Sequence, residues 1–112
     1  MANLIVCCDG TWNTADQHDG GIPTPTNVVR LYNLVAERDK DGVEQKKYYH
    51  PGVGTDGGPL SRVLGGGIGL GLDRNIKSGY RWLCNNYSAR DLIFLFGFSR
   101  GAYTPRSLGG MV

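Results

Sequence analysis

The sequence predicts an α/β fold, in which a mostly parallel sheet of three strands is flanked by helices. Three strand-like segments alternate with helical ones along the chain, and the first and last strands are short, continuous apolar runs, as in buried parallel strands. Crossovers of this kind are right-handed, so we expect helices on both faces of the sheet. With 112 residues, the chain is one domain or part of one, because independent domains most often have about 100 to 150 residues.

The first strand is followed by a polar loop. Residues 3–8 form an apolar run that Asp9 and Gly10 end, so we expect a strand that is buried on both faces. Polar residues, glycines and prolines then fill residues 13–25, which predicts a loop.

A helix and a second strand come next. Thr26 or Asn27 can cap the helix, whose apolar side chains keep helical spacing until the charged, glycine-containing stop at 39–42. The strand predicted at 43–49 has a weaker pattern, and its two tyrosines are its best support.

The second half of the chain begins with a glycine-rich segment. Residues 51–72 hold nine of the eighteen glycines, and an irregular stretch of this length in a compact domain is usually a functional loop or a flap. Asp73 can cap the next helix, whose apolar face is formed at steps of three and four by Ile76, Tyr80, Leu83, Cys84 and Tyr87.

The last strand, at 92–96, is the most hydrophobic stretch of the chain, and residues 102–112 can continue as a helix. The chain stops within this helical pattern without a cap or a return strand, so we expect a fragment. The predicted fold is therefore a partial, truncated α/β domain.

Composition excludes several classes of protein. Twelve basic against ten acidic residues give a net charge of +2, which is too small to indicate a nucleic-acid or anionic-membrane partner. The chain has neither the ~20-residue apolar run of a membrane-spanning helix nor a secretory signal. Its three cysteines fit neither a disulfide framework nor a zinc site, so we expect buried, reduced thiols and synthesis in the cytosol.

The pentapeptide GFSRG at 97–101 matches G-x-S-x-G, the sharp strand-to-helix turn that raises a serine hydroxyl above a sheet. The motif alone is weak because the chain is rich in glycine, but a predicted buried strand precedes it and a predicted helix follows it. Ser99 is therefore the candidate nucleophile, in a strained backbone conformation, and Gly97 and Gly101 are the glycines that permit close backbone approach. The alternative is a glycine-bearing turn that happens to contain a serine.

Two segments can supply an oxyanion hole. The amide of Arg100 lies at the start of the helix, next to the place where an oxyanion would develop. The second donor normally comes from the loop after a neighbouring strand, and here Gly10 and Thr11 are the candidates. That loop can equally be an ordinary Asp-Gly turn.

Two other motifs point to different chemistry. Phosphatases of the haloacid dehalogenase type carry D-x-D-G-T after their first strand, but Cys7 stands where the nucleophilic aspartate is needed. Residues 52–57 spell G-x-G-x-x-G, but no helix start follows to hold a pyrophosphate. We therefore treat the phosphatase as a less favoured alternative and dinucleotide binding as a chance match.

The remaining candidate residues can be explained without a catalytic role. His18 and His50 both precede the serine, whereas the base of this enzyme architecture follows it in the chain, so both are taken as loop residues. Arg106 can meet an anionic group or simply be solvated. Trp12 can line a lipid-facing pocket or anchor its own loop.

Four sequence blocks, taken together, resemble a known family: CDGTWN at 8–13, PTNVVRLYNL at 25–34, YYHPGVGT at 48–55 and GFSRGAYTPRSLGGM at 97–111. They are similar, in the same order, to the N-terminal part of the α/β-hydrolase domain of type VI secretion lipase (phospholipase) effectors and of their uncharacterised bacterial and fungal relatives. The resemblance covers nearly the whole chain. It assigns residues 1–112 to the N-terminal part of a single α/β-hydrolase catalytic domain with its nucleophile elbow at 97–101.

The resemblance implies that the strand at 3–8 lies between those at 43–49 and 92–96. It also implies cleavage of carboxylic esters, above all phospholipids, by Ser99 without a metal or an organic cofactor. The acid and the histidine of the family follow the elbow, beyond the last residue. Pro105 departs from the family pattern, and a proline one turn inside a helix costs about 3 kcal/mol, which puts the straightness of that helix in question.

We therefore expect a lipid or ester substrate, no nucleic-acid partner, and no hydrolysis by the 112-residue chain alone. Type VI delivery uses no cleavable leader, so export and a secretion-apparatus or immunity partner remain open. The alternative is a non-catalytic truncated remnant or interaction module, whose unpaired strand edges and uncovered apolar faces predict aggregation.

Overall fold

The computed structural model describes residues 1–10, 15–52 and 70–111, and this part of the chain has an α/β architecture. Its strands are β1 (Ala2–Cys8), β2 (His18–Asp19), β3 (Ile22–Pro23), β4 (Glu44–His50) and β5 (Leu92–Gly97). Its helices are α1 (Asn27–Leu34), α2 (Leu70–Asn86) and α3 (Tyr103–Met111), and a 3-10 turn (Ser99–Ala102) joins β5 to α3. Residues 53–69, which make up most of the loop or flap predicted at 51–72, lie outside the described residues.

The main sheet has the order β4-β1-β5, and both of its pairings are parallel. The strand order expected from the sequence is therefore confirmed. Every residue of β1 is buried, because β1 lies between the two other strands and both of its faces are covered. At its end, Cys8 pairs with His50 on one side and with Gly97 on the other.

The side chains of β1 point alternately to the two faces of the sheet, and on each face they belong to an apolar cluster. The larger cluster lies under α2 and α3 and contains Leu4, Val6, Cys8, Leu83 and Leu108. The smaller cluster lies under α1 and contains Ile5, Cys7 and Val28. The continuous apolar sequence of β1 is thus explained by burial on both sides.

Helix α1 begins as predicted and ends earlier than predicted. The Thr26 hydroxyl accepts a hydrogen bond from the Val29 amide at 3.3 Å and caps the helix. Beyond Leu34 the backbone becomes extended, because residues 37–39 are drawn into hydrogen bonds with residues at the start of β4. The helix therefore stops about one turn before the charged stop at 39–42.

The loop predicted at 13–25 contains a small hairpin, β2 paired antiparallel with β3. Gly20 and Gly21 form its turn with φ values of 58° and 82°, a backbone region that glycine occupies without steric cost. The sequence pattern missed these strands because each is only two residues long.

Helix α2 differs from its prediction in its start and in its buried face. It begins at Leu70, so Asp73 lies inside the first turn and is not its cap. The buried positions are Asn75, Gly79 and Leu83, whereas Tyr80, Cys84 and Tyr87 are exposed. A Cβ at Gly79 would lie 2.9 Å from Leu108 Cδ1, so the glycine lets α3 approach closely and turns this side of α2 inward.

Strand β5 carries an exposed apolar face, which we call the β5 stripe: Leu92, Phe94, Phe96 and Phe98. These four side chains are between 38 and 49 % exposed. The alternate side chains Ile93 and Leu95 pack on the larger cluster. The expectation that helices cover both faces of the sheet is therefore right for β1 and wrong for β5 in the described part of the chain.

Candidate active site at the carboxyl edge of the sheet

The carboxyl ends of β1, β4 and β5 meet at one edge of the sheet. The carbonyl oxygen of Cys8 accepts a hydrogen bond from the Phe98 amide at 3.1 Å. On the other side of β1, the Asp9 amide donates to the His50 carbonyl oxygen at 3.0 Å. This edge is where open parallel sheets bind their ligands, and it brings the residues after β1 next to the residues after β5.

Ser99 lies at this edge with its side chain exposed. Its φ is 55°, and in the described part of the chain Arg90 is the other non-glycine residue with a positive φ. A residue with a Cβ holds this conformation at a cost of about 1 to 3 kcal/mol. The backbone strain expected at the serine is thus present, at the first residue of the 3-10 turn that follows β5.

The helical segment behind Ser99 has two parts. The 3-10 turn comes first, and the α-helix begins only at Tyr103. Pro105 is therefore in the first turn of α3, where an amide hydrogen has no intrahelical acceptor to lose. The proline marks the change from 3-10 to α-helix, and the cost expected for a proline deeper in a helix does not arise.

The other residues of the predicted elbow follow the same strand-to-turn path. Gly97 ends β5, and Arg100 and Gly101 lie in the 3-10 turn with Ser99. The amide of Arg100 is in the first turn of a helical segment, where amides are free of intrahelical bonds. Arg106, farther along, is exposed on α3.

A buried carboxylate lies just after β1. Asp9 is 1 % exposed, and its Oδ2 atom accepts hydrogen bonds from the Tyr49 hydroxyl at 2.7 Å and from the Thr26 hydroxyl at 3.0 Å. Its Oδ1 atom accepts the amide of Gly10 at 3.1 Å. We call these four residues the Asp9 cluster. Thr11, the second oxyanion candidate, and Trp12 lie outside the described residues.

The Asp9 cluster affects the chemistry of Gly10 and Tyr49. Gly10 is buried and its amide hydrogen is already used. Burial, and after it the hydrogen bond to Asp9, raise the pKa of the Tyr49 hydroxyl above its ordinary value. The phenol therefore stays protonated and acts as a hydrogen-bond donor.

The two thiols of β1, Cys7 and Cys8, have raised pKa values. Burial raises the pKa of Cys7 to about 11 and that of Cys8 to about 12, so both are neutral thiols near pH 7. Cys84, in contrast, is exposed, which corrects the expectation that all three cysteines are buried. A neutral, buried Cys7 offers no carboxylate chemistry, so the phosphatase alternative gains nothing from the structure.

The two histidines lie away from Ser99. His18 is exposed in the small hairpin. His50 ends β4 rather than standing in a loop, and its Nδ1 atom lies 2.7 Å from the Pro51 carbonyl oxygen, which can only accept a hydrogen bond. Because β1 separates β4 from β5, the His50 and Gly97 backbones, which both pair with Cys8, are about 10 Å apart at a strand spacing of about 4.8 Å.

Sequence reasoning assigned Asp9 to a turn and missed the cluster around it. The available signal was the two-residue period of β4, which places Tyr49 on the same face as Lys47 and opposite Tyr48. That period could identify a tyrosine on the α1 side of the sheet, but not its bond to a carboxylate 40 residues earlier.

The described residues contain neither a candidate metal site nor a candidate membrane-spanning helix. Among them, no group of three or more histidine, cysteine, aspartate or glutamate side chains could hold a metal ion. In the same ranges, no helix combines the length and the apolar character that crossing a membrane requires.

Comparison with known proteins places the chain in a family. The chain is 35 % identical over 123 aligned positions to the uncharacterized protein YEL023C of Saccharomyces cerevisiae (strain ATCC 204508 / S288c), and the alignment covers 98 % of this chain and 17 % of the yeast protein. The chain thus spans less than a fifth of that relative. No solved structure matches the chain. Residues 2–112 match the family model "T6SS, Phospholipase effector Tle1-like, catalytic domain", and the chain therefore belongs to this family.

Proposed function

We propose that the chain forms part of a serine hydrolase of the α/β-hydrolase type, which cleaves carboxylic esters and above all phospholipids. Ser99 is its nucleophile. The observation that carries the proposal is the exposed serine with φ 55° at the start of the helical turn that follows a parallel strand, the conformation that the G-x-S-x-G turn requires. Membership of a phospholipase effector family supports a lipid ester as the substrate.

The proposed reaction begins when the Ser99 hydroxyl attacks the acyl carbonyl carbon. A histidine outside the 112 residues, oriented by an acid, takes the hydroxyl proton and later gives it to the leaving alcohol. An acyl-enzyme forms and water then releases the acid. Gly97 and Gly101 are proposed to keep the turn free of side chains, so that the substrate can approach the serine.

Two amides are proposed to stabilise the oxyanion. The Arg100 amide is the first donor, because it follows the nucleophile and opens a helical segment. For the second donor we favour Thr11 over Gly10, since the Gly10 amide already donates to Asp9 at 3.1 Å. An oxyanion would have to compete with a carboxylate for the Gly10 hydrogen.

His50 is not assigned as the base. Its strand lies on the far side of β1 from Ser99, and one of its ring nitrogens already bonds to the Pro51 carbonyl oxygen. Without a base, the 112-residue chain is expected to be inactive on esters.

The test compares two proteins, the 112-residue chain and the natural chain that contains it, read to its stop codon. We expect the natural chain to hydrolyse p-nitrophenyl butyrate and phospholipid vesicles, and the 112-residue chain to hydrolyse neither. Ser99→Ala should abolish the activity, because the nucleophile is lost. Ser107→Ala, a serine change in α3, is the matched control and should leave the activity intact. Unchanged hydrolysis by Ser99→Ala in the natural chain would refute the assignment.

A second candidate function is a non-catalytic interaction module. The β5 stripe favours it, because four neighbouring apolar side chains are 38 to 49 % exposed and such patches often mark contact surfaces. The natural chain distinguishes the two candidates: a reading frame that supplies an acid and a histidine after residue 112 favours the enzyme. A stop codon directly after residue 112 favours the module.

A further inference from the structure

The Asp9 cluster has no part in the reaction proposed above, although it lies at the same edge of the sheet. A carboxylate that is 1 % exposed is costly unless it is hydrogen-bonded. Here three donors from three parts of the chain reach it: the Thr26 hydroxyl before α1, the Tyr49 hydroxyl on β4, and the Gly10 amide after β1.

The three donors constrain the carboxylate in space. The carboxylate oxygens accept all three hydrogen bonds, and two of the donors are held in place by neighbouring structure. Thr26 is fixed because its hydroxyl also caps α1. Tyr49 is fixed because its ring packs against that of Tyr32, with the ring centroids 5.7 Å apart. The remaining acceptor, Oδ1, therefore has a defined position for the Gly10 amide.

The backbone around Asp9 connects this constraint to Ser99. The Asp9 amide is bonded to β4, and the carbonyl oxygen of the preceding residue, Cys8, accepts the Phe98 amide at 3.1 Å. Gly10 is thus two residues after Cys8, whose carbonyl oxygen holds Phe98, the residue before Ser99. A rotation of the Asp9–Gly10 peptide would therefore move backbone next to the bond that holds Phe98, the residue before the nucleophile.

We propose that Asp9 is a positioning residue of the hydrolase site: its carboxylate, anchored by Thr26 and Tyr49, binds the Gly10 amide and fixes the orientation of the backbone that leaves β1 beside Ser99. The inference rests on the proposed function, because its effect is on the geometry of the oxyanion site. Asp9 acts through the backbone and does not touch the substrate.

The experiment measures kcat and KM for p-nitrophenyl butyrate hydrolysis by the natural chain and by three variants, per folded protein. Asp9→Ala removes every acceptor, and we expect kcat to fall about 100-fold, as for the loss of an oxyanion donor, with KM within about threefold. Asp9→Asn keeps an oxygen for the Gly10 amide and should recover most of that loss. Tyr49→Phe removes one anchor and should lower kcat by about tenfold, about half the logarithmic effect of losing a donor.

Tyr32→Phe is the matched control, because it removes a phenol hydroxyl next to Tyr49 without touching the carboxylate. It should leave kcat unchanged. A purely structural role for Asp9 predicts lower thermal stability of the variants with an unchanged kcat of the folded protein, and that result would overturn the inference. If Asp9→Ala does not fold, Tyr49→Phe against Tyr32→Phe gives the same decision.

The two proposals fail in different ways. If Ser99→Ala keeps full activity, the proposed function is wrong and the inference falls with it. If Ser99→Ala is inactive while Asp9→Ala and Tyr49→Phe have the kcat of the unsubstituted protein, the hydrolase assignment stands and the positioning role of Asp9 is refuted.

Discussion

Two threonines in this chain have opposite hydrogen-bonding environments, and the same substitution should move stability in opposite directions. The Thr26 hydroxyl donates to the buried Asp9 at 3.0 Å and accepts the Val29 amide. Thr104 is fully buried, and its hydroxyl has no hydrogen-bond partner among the described residues. Valine has nearly the shape of threonine and no hydroxyl, so it isolates the hydrogen-bonding contribution at both sites.

The magnitudes follow from these contacts. Thr26→Val loses a helix cap worth about 1 kcal/mol and a hydrogen bond to a charged group worth about 2 kcal/mol, so the free energy of unfolding should fall by about 3 kcal/mol. Thr104→Val removes a buried, unpaired hydroxyl and should raise that free energy by about 1 kcal/mol. An unfolding entropy of roughly 2.1 cal/mol/K per residue converts 1 kcal/mol to about 4 °C for a chain of 112 residues.

Thermal unfolding followed by circular dichroism should therefore show Tm lower by about 12 °C for Thr26→Val and higher by about 4 °C for Thr104→Val. Thr26→Ser keeps the hydroxyl and should stay close to the unsubstituted chain. Equal losses of Tm for both valine variants would show that burial of a hydroxyl, and not its partners, decides the effect, and the reasoning would be wrong.

Three further predictions concern packing, thiol chemistry and self-association. Gly79→Ala should lower stability by about 1 kcal/mol in urea titrations, because its Cβ would lie 2.9 Å from Leu108 Cδ1 and the overpacking cost of about 1 to 3 kcal/mol exceeds the roughly 0.5 to 1 kcal/mol that alanine gains over glycine in a helix. Gly110→Ala, with nothing within 4 Å, should stabilise by about 0.5 to 1 kcal/mol. The reverse order would contradict the close approach of α2 and α3. Ellman's reagent should label one thiol of the native chain, Cys84, and all three cysteines in denaturant. The free energy of unfolding should fall from about pH 9 toward pH 11, because in this range the two buried thiols ionise in the unfolded chain and stay protonated in the folded one. Replacing Phe94, a 41 % exposed member of the β5 stripe, with threonine should lower light scattering and dye binding without loss of Tm, and undiminished scattering would show that the stripe does not drive self-association.

The sheet could be predicted from the sequence because its strands carry strong local signals. The apolar run of β1 and the run of β5 each predicted a buried strand, and the four sequence blocks implied their order, which the structure confirms. The start of α1 was predicted because capping depends on the local chain, and of the two predicted caps, Thr26 and Asn27, the structure has Thr26. The G-x-S-x-G motif placed Ser99 between a strand and a helical turn.

The features that the sequence did not predict depend on contacts between residues that are far apart in the chain. The buried face of α2 is set by Gly79, whose missing side chain lets Leu108 approach from a helix that comes later in the chain. The spacing of apolar residues in the sequence instead predicted that the larger apolar side chains of α2 would be buried. The Asp9 cluster joins positions 17 and 40 residues apart. The exposed face of β5 reflects which helices cover the sheet, and a strand's own sequence does not record that.

The central position of β1 has a consequence for biosynthesis. β1 is made first, but its two neighbours are β4 and β5, and the amide of Ala2 must reach the carboxylate of Asp91, 89 positions along the chain. Loops of this length close slowly and with a large entropy cost. This fully buried strand therefore emerges from the ribosome long before either partner strand exists. It is the segment that a holding chaperone would bind during synthesis.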